Sequence, residues 1–390
     1  MTHVVTKPSI FLTVAAGMLL AAVPRTTDRG DANRPGPYYP GPADAWEHRS
    51  PATVGMDSTS LSEAISFALA NESTEPRDLR LMLSRRLSGS PYGDIVGPMK
   101  DRGGMNGLVI RHGYIVAEWG NTKRVDMTFS VSKSFLSTTA GLALADDLIK
   151  HLGDPVRDYH IDSSFDTPHN ATITWQHLLQ QTSEWEGELW GKPDKADRRR
   201  GRDRALRAPG TFWEYNDVRV NRLALSLLQL WRRPLPSVLK ERIMDPIDAS
   251  STWEWHGYFK SDAVIDGRMM KSVSGGGHWG GGMWISSRDQ ARFGYLFLRN
   301  GTWKDRQLLP ADWVSRATTP TDIQPNYGYM WWLNTGQKQW PSAPASSFAA
   351  LGGGSNVIWV DPDDDLVVVV RWIQAPKTDE FLGLVLASLN

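Results

Sequence analysis

Residues 366–370 read Leu-Val-Val-Val-Val, five apolar side chains with no polar residue in alternation. A strand of that composition has to be covered on both faces, which places it in the interior of a sheet. Two further β-rich runs, 329–333 and 357–360, lie just upstream. Two more lie far back in the chain, where 107–110 and 114–118 flank Arg111-His112-Gly113 and read as a β-hairpin. Between these ends the pattern is helical. Ser60 is placed to cap a helix carrying Leu61, Ala64, Ile65, Phe67 and Ala68. Residues 129–149 read as one long helix, apolar nearly all round and therefore buried. Helical spacing returns at 175–181, 218–231 and 288–299, and 381–389 reads as a closing helix. The order predicts an α/β fold: an antiparallel sheet flanked by helices, built from both ends of the chain, with an inserted all-helical domain. The expected boundaries are 56–160 plus 271–390 for the discontinuous α/β domain and 161–270 for the insert. No internal repeat is present.

Composition narrows the function. The 390 residues are 41% apolar and 22% charged, which excludes wholesale disorder, a collagen-like repeat and a polytopic membrane protein. With 43 basic and 43 acidic residues the chain has no global electrostatic reason to bind nucleic acid. The absence of cysteine excludes disulfide scaffolds, thiolate zinc sites, iron–sulfur clusters and a cysteine nucleophile. Tryptophan is abundant at 18 residues, and core filling is its expected use. Near the N-terminus, Lys7 precedes a 14-residue apolar run, 10–23, too short for a membrane span. The run ends in Ala21-Ala22-Val23-Pro24. Residues 1–24 are thus expected to be an export signal, giving a periplasmic or secreted protein with no stable membrane span after its removal. The alternative is an apolar helix that anchors or packs, in a cytoplasmic or N-terminally anchored protein. Residues 25–55, rich in Pro, Gly, Arg and Asp, read as a linker or a strap over the domain. The basic run 198–204 reads as a solvated loop.

Most catalytic signatures are missing: there is no phosphate loop, no His-Glu-x-x-His and no Gly-x-Ser-x-Gly elbow. Gly275-x-Gly277-x-x-Gly280 matches the dinucleotide fingerprint by letters but lies far from any βαβ unit. Ser-x-x-Lys occurs twice, at Ser130–Lys133 and Ser237–Lys240. With 32 Ser and 13 Lys, about one match arises by chance, so context decides. Ser237 follows Pro234 and Pro236 and precedes Lys240-Glu241-Arg242, an exposed helix start. Ser130 opens the long apolar helix, which sets its hydroxyl beside the Lys133 amine one turn on. Burial disfavours a charged lysine, and a neutral one can take the serine proton. The bland reading is a serine cap beside a snorkelling lysine. Tyr215, in Tyr215-Asn216-Asp217, is a candidate proton shuttle. Leu351-Gly-Gly-Gly-Ser-Asn356 leads into a strand, where a backbone N–H at Ser355 or Asn356 would join that of Ser130 in an oxyanion hole. His278 lines a cleft or packs in the core.

Together these phrases resemble the serine β-lactamase and penicillin-binding superfamily, above all its class C-like hydrolase branch of esterases and 6-aminohexanoate-dimer hydrolases. The resemblance runs from about Val54 to the C-terminus. It is carried by Met127-Thr-Phe-Ser-Val-Ser-Lys133, Ile173-Thr-Trp-Gln-His-Leu-Leu-Gln-Gln-Thr182, Pro209-Gly-Thr-Phe-Trp-Glu-Tyr-Asn-Asp217, His278-Trp-Gly-Gly-Gly-Met-Trp-Ile-Ser286 and the segment 352–362. It implies a β-lactamase/transpeptidase-like fold, Ser130 as nucleophile, Lys133 as its base partner and Tyr215 as proton shuttle. The implied reaction is hydrolysis of a small-molecule amide or ester through an acyl-enzyme, with no metal or organic cofactor. Two departures stand out. The Gly352–Asn356 run lacks the family's Lys or His, which puts β-lactams and peptidoglycan stems in doubt. Asp217 stands where Asn is usual, which would suit an amine or another polar group on the substrate. The alternatives are a β-lactamase or DD-peptidase activity, or a sensor that acylates without turnover.

Overall fold

The computed structural model describes residues 37–42 and 45–390, so the expected export signal at 1–24 lies outside the described residues. The elements that position the site are, in chain order, α1 (Ser58–Ala70), α2 (Leu79–Arg86), β1 (Asn106–Arg111), β2 (Tyr114–Trp119), β3 (Asp126–Met127), α3 (Ser132–Ala145), α4 (Asp217–Trp231), β4 (Glu254–His256), β5 (Gly282–Ile285), α5 (Ser287–Leu298), β6 (Trp332–Leu333), β7 (Phe348–Gly352), β8 (Asn356–Asp361), β9 (Leu366–Arg371) and α6 (Thr378–Ala387). Six strands form one antiparallel sheet in the order β6-β7-β8-β9-β1-β2. β9 is interior, as its composition requires. Leu366, Val368 and Val370 pack with Leu61 and Ala64 of α1 and Phe381 and Val385 of α6. Val367 and Val369 face the other way, into the cluster that holds Phe293 and Leu296 of α5. β9 pairs with β1 from Asn106↔Arg371 to Arg111↔Leu366, which joins the two ends of the chain.

A second sheet, β3-β5-β4, abuts the first. Arg371 at the end of β9 links the two: fully buried, it donates to Ile285 O (2.7 Å), Met127 O (2.8 Å) and Asn356 Oδ1 (2.7 Å). Burial pushes its guanidinium down to about 10, with Asp126 opposing. The segment 161–270 carries the expected helices, α4 and Trp175–Leu179. It also holds strand pairs at Glu188–Leu189 with Lys192–Pro193 and at Asp262–Ile265 with Arg268–Lys271, and it lends β4 to the second sheet. Residues 37–390 form one compact unit. Among the described residues no helix is long and apolar enough to cross a membrane.

Several local expectations change. The cap of α1 is Asp57, whose carboxylate accepts from Ser60 N; Ser60 is already inside the helix. The long helix is split. Phe129 takes a left-handed φ of 50°, residues Phe129–Val131 form a 3-10 turn, and α3 starts at Ser132 and ends at Ala145. Of the run 329–333 only Trp332–Leu333 is strand, because Met330 turns the chain at φ 63°. From residue 45 the proline-rich segment lies against the domain, with Trp46 buried and its indole donating to Gly113 O.

The basic run 198–204 is a loop exposed from Arg199 to Asp203, as expected, and departs only at its two ends, where Arg198 and Arg204 turn inward. Arg204 donates to Glu184 (2.6 and 2.8 Å) and Glu214 (2.7 Å), and Arg198 to Asp194 (2.6 Å). Arg219 of α4 also binds Glu184. These carboxylates are buried, so they draw the arginines inward rather than leaving them to water. Burial alone would push Glu184 up, but Arg204 and Arg219 hold it near 2.

Replacing Arg371 by Met strands two carbonyls and the Asn356 amide. A loss of about 3 kcal/mol is expected, read as a lower urea midpoint at unchanged slope. Glu184 has a folded-state value below its ordinary 4.5, so the stability it adds is complete above about 4.5 and is lost as pH falls towards 2. Glu184→Gln is expected to be less stable at pH 7 and to lose less on acidification through that window, as followed by thermal melts at stepped pH.

Candidate active site

Ser130 is set by the backbone on either side of it. The left-handed Phe129 is held by its buried ring, which packs with Leu79, Met82 and Trp372. Ser132 Oγ donates to Phe129 O (2.6 Å) and accepts from Met283 N (2.7 Å), which fastens the start of α3 to β5. One turn along, the buried Lys133 donates from Nζ to Ser130 Oγ (2.9 Å) and to Asp217 Oδ1 (2.9 Å).

Asp217 is the first residue of α4, where the helix dipole favours a carboxylate. Asn216 caps that helix, accepting from Val218 N (3.0 Å) and Arg219 N (3.1 Å). The Asn216 N–H donates to Gln181 Oε1 (2.8 Å), and Gln181 Nε2 donates to the Tyr327 hydroxyl (2.6 Å). Gln181, within the phrase 173–182, thus braces the tyrosine loop. Tyr215 sits among Trp213, Tyr327 and Trp332. Two cations lie against its ring: Lys133 Nζ at 4.5 Å and the Arg199 guanidinium at 4.8 Å from the centroid. Gly276 passes so close that any side chain there would collide with the Asp217 carboxylate and the Lys133 ammonium.

This geometry corrects the expectation of a neutral lysine. Burial pushes the Lys133 ammonium down, but the Asp217 carboxylate outweighs it and holds the amine above its ordinary value. Burial likewise pushes Asp217 up, and Lys133, His278 and Arg199 reverse it to below the usual carboxylate range. Asp217 is therefore an internal counter-ion, 1% exposed.

Ser130, Tyr215 and His278 share the wall of a cavity of about 460 Å³ with Trp332, Gly352 and Gly353. The end of β7 lies against the serine turn: a side chain on Gly352 would strike Thr128 O and come within 3.2 Å of Ser130 N. Ser355 and Asn356, the expected oxyanion donors, are not brought to this cavity; they line its neighbour. The Asn356 side-chain amide is bound to Arg371 and to Gly353 O (2.7 Å), and its backbone pairs with Gly352 across the turn between β7 and β8. Gly352 and Gly353 stand nearest the serine instead, and the glycine run was the signal that pointed there. Ser237 and Lys240 lie apart from the site, with Lys240 bound to Asp245.

Arg199 is the cleft residue that sequence reasoning missed. It binds both oxygens of Asp197 (3.0 and 3.3 Å) and lies 3.8 Å from Asp217 Oδ2. His278 stands 3.9 Å from Asp217 and 4.0 Å from Asp197. Asp197, Asp217 and His278 bring three donor atoms within 4.8 Å of one another. The arrangement does not fit a divalent ion, because the Arg199 guanidinium already supplies the positive charge between the two carboxylates.

The fold has close counterparts. A Bacillus anthracis protein assigned as a 6-aminohexanoate-dimer hydrolase matches with a TM-score of 0.52 at 19% identity, over 73% of this chain and 77% of that one. A β-lactamase of Mycobacterium bovis gives 0.53 at 20% identity, over 73% and 94%. A penicillin-binding protein homologue of Caulobacter crescentus gives 0.53 at 14% identity, over 80% and 98%. At these identities the likeness is one of fold. The family model described as Beta-lactamase matches residues 93–383, a span that takes in Ser130, Lys133, Tyr215, Asp217 and the glycine edge of β7, and the chain belongs to that family.

Proposed function

We propose that the protein is a serine hydrolase that cleaves an amide or ester bond through an acyl-enzyme on Ser130. The observation that carries this reading is the 2.9 Å contact between Ser130 Oγ and Lys133 Nζ, at a cavity that Tyr215 and the Gly352–Gly353 edge also line. Ser130 Oγ attacks the carbonyl carbon. The oxyanion forms against the Ser130 N–H and the backbone of the β7 end. Lys133, kept as an ammonium by Asp217, stabilises the forming alkoxide. Tyr215 relays the proton in one motion, passing its own phenolic proton to the leaving amine or alcohol as it accepts that of Ser130. Water then repeats the sequence on the acyl carbonyl. These steps call for no metal or organic cofactor. Small linear amides and esters, the 6-aminohexanoate-dimer type among them, are favoured over β-lactams because the end of β7, Ala350-Leu351-Gly352, offers no Lys or His. An exported enzyme would meet such substrates outside the cytoplasm.

Brief exposure to a p-nitrophenyl ester, a cephalosporin and a linear aminohexanoate amide, read by intact-protein mass and by free product, tests the reading. An adduct on Ser130 with product release is expected. Ser130→Ala should lower kcat/KM by a thousand-fold or more, on the order of a lost nucleophile, with the fold retained. Adducts without product would instead favour a sensor. Asp217→Asn leaves burial unopposed at Lys133, so its amine should lose its proton at lower pH than in the wild type. The rate of Ser130 labelling by a fluorophosphonate should then fall on the alkaline side at a pH where the wild type is still fully reactive. An acidic limb that moves instead would return Lys133 to the role of base.

A further inference from the structure

The walls of the Ser130 cavity carry two guanidinium groups, Arg86 and Arg199, and among the described residues that line it there is no carboxylate. The two arginines are not equivalent. Arg199 is committed to Asp197 through two contacts. Arg86, the last residue of α2, makes one side-chain contact, from Nη2 to Glu75 Oε1 at 3.0 Å, and both partners are widely open to water, at 44% and 39% exposure. An ion pair so exposed is weakly held. The Glu75 backbone, by contrast, is fixed, since the buried Arg102 donates to its carbonyl (2.9 Å). Exchange of partners at Arg86 therefore requires only side-chain motion.

Arg86 also lies where two cavities meet. The second, of about 530 Å³, holds Glu75 and shares Arg86, Gln339 and residues 351–353 with the Ser130 cavity. A molecule seated at Ser130 and long enough to leave the first cavity passes the Arg86 guanidinium as it enters the second. We propose that the substrate is an acyl compound bearing a carboxylate several bonds from the scissile carbonyl, and that Arg86 receives this carboxylate by releasing Glu75. The proposal rests on the acyl-transfer reading of Ser130. It makes Arg86 the specificity-determining residue and Glu75 an internal competitor for it.

The test compares two esters of one length, p-nitrophenyl hydrogen glutarate and its neutral methyl ester. The readout is the ratio of their kcat/KM values. In the wild type the charged ester should be preferred, and added salt should compress the preference. Arg86→Gln should lower the ratio about tenfold or more, the scale of one charged hydrogen bond. Arg86→Lys should keep part of it, and Glu75→Gln should raise it. An unchanged ratio in Arg86→Gln, or a shift in the same direction for Arg86→Gln and Glu75→Gln, overturns the proposal. Ester turnover that depends on Ser130 but ignores the carboxylate sinks this inference and leaves the hydrolase reading standing. If neither ester is turned over, the hydrolase reading fails on its own. Saturation-transfer NMR with glutarate and glutaramide then decides the anion site: glutarate binding that Arg86→Gln abolishes supports it, and no binding to the wild type overturns it.

Discussion

Between α3 and α4 an ammonium and a carboxylate, each about 1% exposed, stand 2.9 Å apart with a glycine backbone closing over them. Neither charge tolerates that burial alone, and a buried pair contributes little net stability even when intact. Its importance is conditional. Lys133 lies in the first turn of α3, just after Ser130, and Asp217 opens α4, 84 residues away. Removing either partner leaves the other as an uncompensated charge, a loss of about 3–5 kcal/mol for buried pairs. The electrostatics at Ser130 therefore depend on the start of α4 being held against α3, and the start of α4 depends on α3 in turn. Gly276 is dictated by the same contact.

The charges around that pair follow from it. The Asp217 N–H donates to Asp197 (2.8 Å), Asp197 holds Arg199, and the Arg199 N–H donates to Glu214 (3.0 Å). Glu214 and Glu184 in turn bind Arg204. The ends of the loop are drawn into a chain of alternating charges, while residues 199–203 between them stay exposed. The outward end of that chain is the half-exposed Arg199 over Tyr215. The loop's ends are thus tied to buried carboxylates, whereas Arg86 on the α2 side has a single exposed partner.

How much of this the sequence disclosed depends on the range of the interaction. The interior position of β9 was legible, because two-sided burial is written in its own five side chains. The β1–β2 hairpin and the Ser130–Lys133 spacing are also local, and the structure places them as read. The charge state of Lys133 was not legible. Burial was read correctly, but the sign of the outcome was set by Asp217, a partner that no spacing rule reveals. The inward turn of Arg198 and Arg204 was hidden for the same reason, since Glu184 and Glu214 show no sign of burial in sequence. Within the glycine run, the turn after β7 decides which members face Ser130, so that Gly352 and Gly353 stand there and Ser355 and Asn356 line the neighbouring cavity. The break at Phe129 came from tertiary packing of an aromatic ring, which overrides the helical spacing around it.

The departure at the end of β7 acquires a different meaning once the cleft's charges are located. A cation carried by that strand would sit at a fixed place beside the nucleophile and select substrates whose anion lies close to the scissile bond. Here the strand end is uncharged, and the positive groups arrive from α2 and from the loop before α4. The cleft's positive charge therefore stands away from the strand end. A long arginine side chain at the end of a helix, facing the junction of two cavities, selects for reach: the anion must be separated from the carbonyl by a chain that spans the first cavity. The fused ring of a β-lactam, with its carboxylate held close to the carbonyl, meets that condition poorly, and an extended acyl chain meets it well. On the proposal made for Arg86, the uncharged strand end and the placement of that arginine act together on specificity, at a serine whose own surroundings are fixed by the Lys133–Asp217 pair.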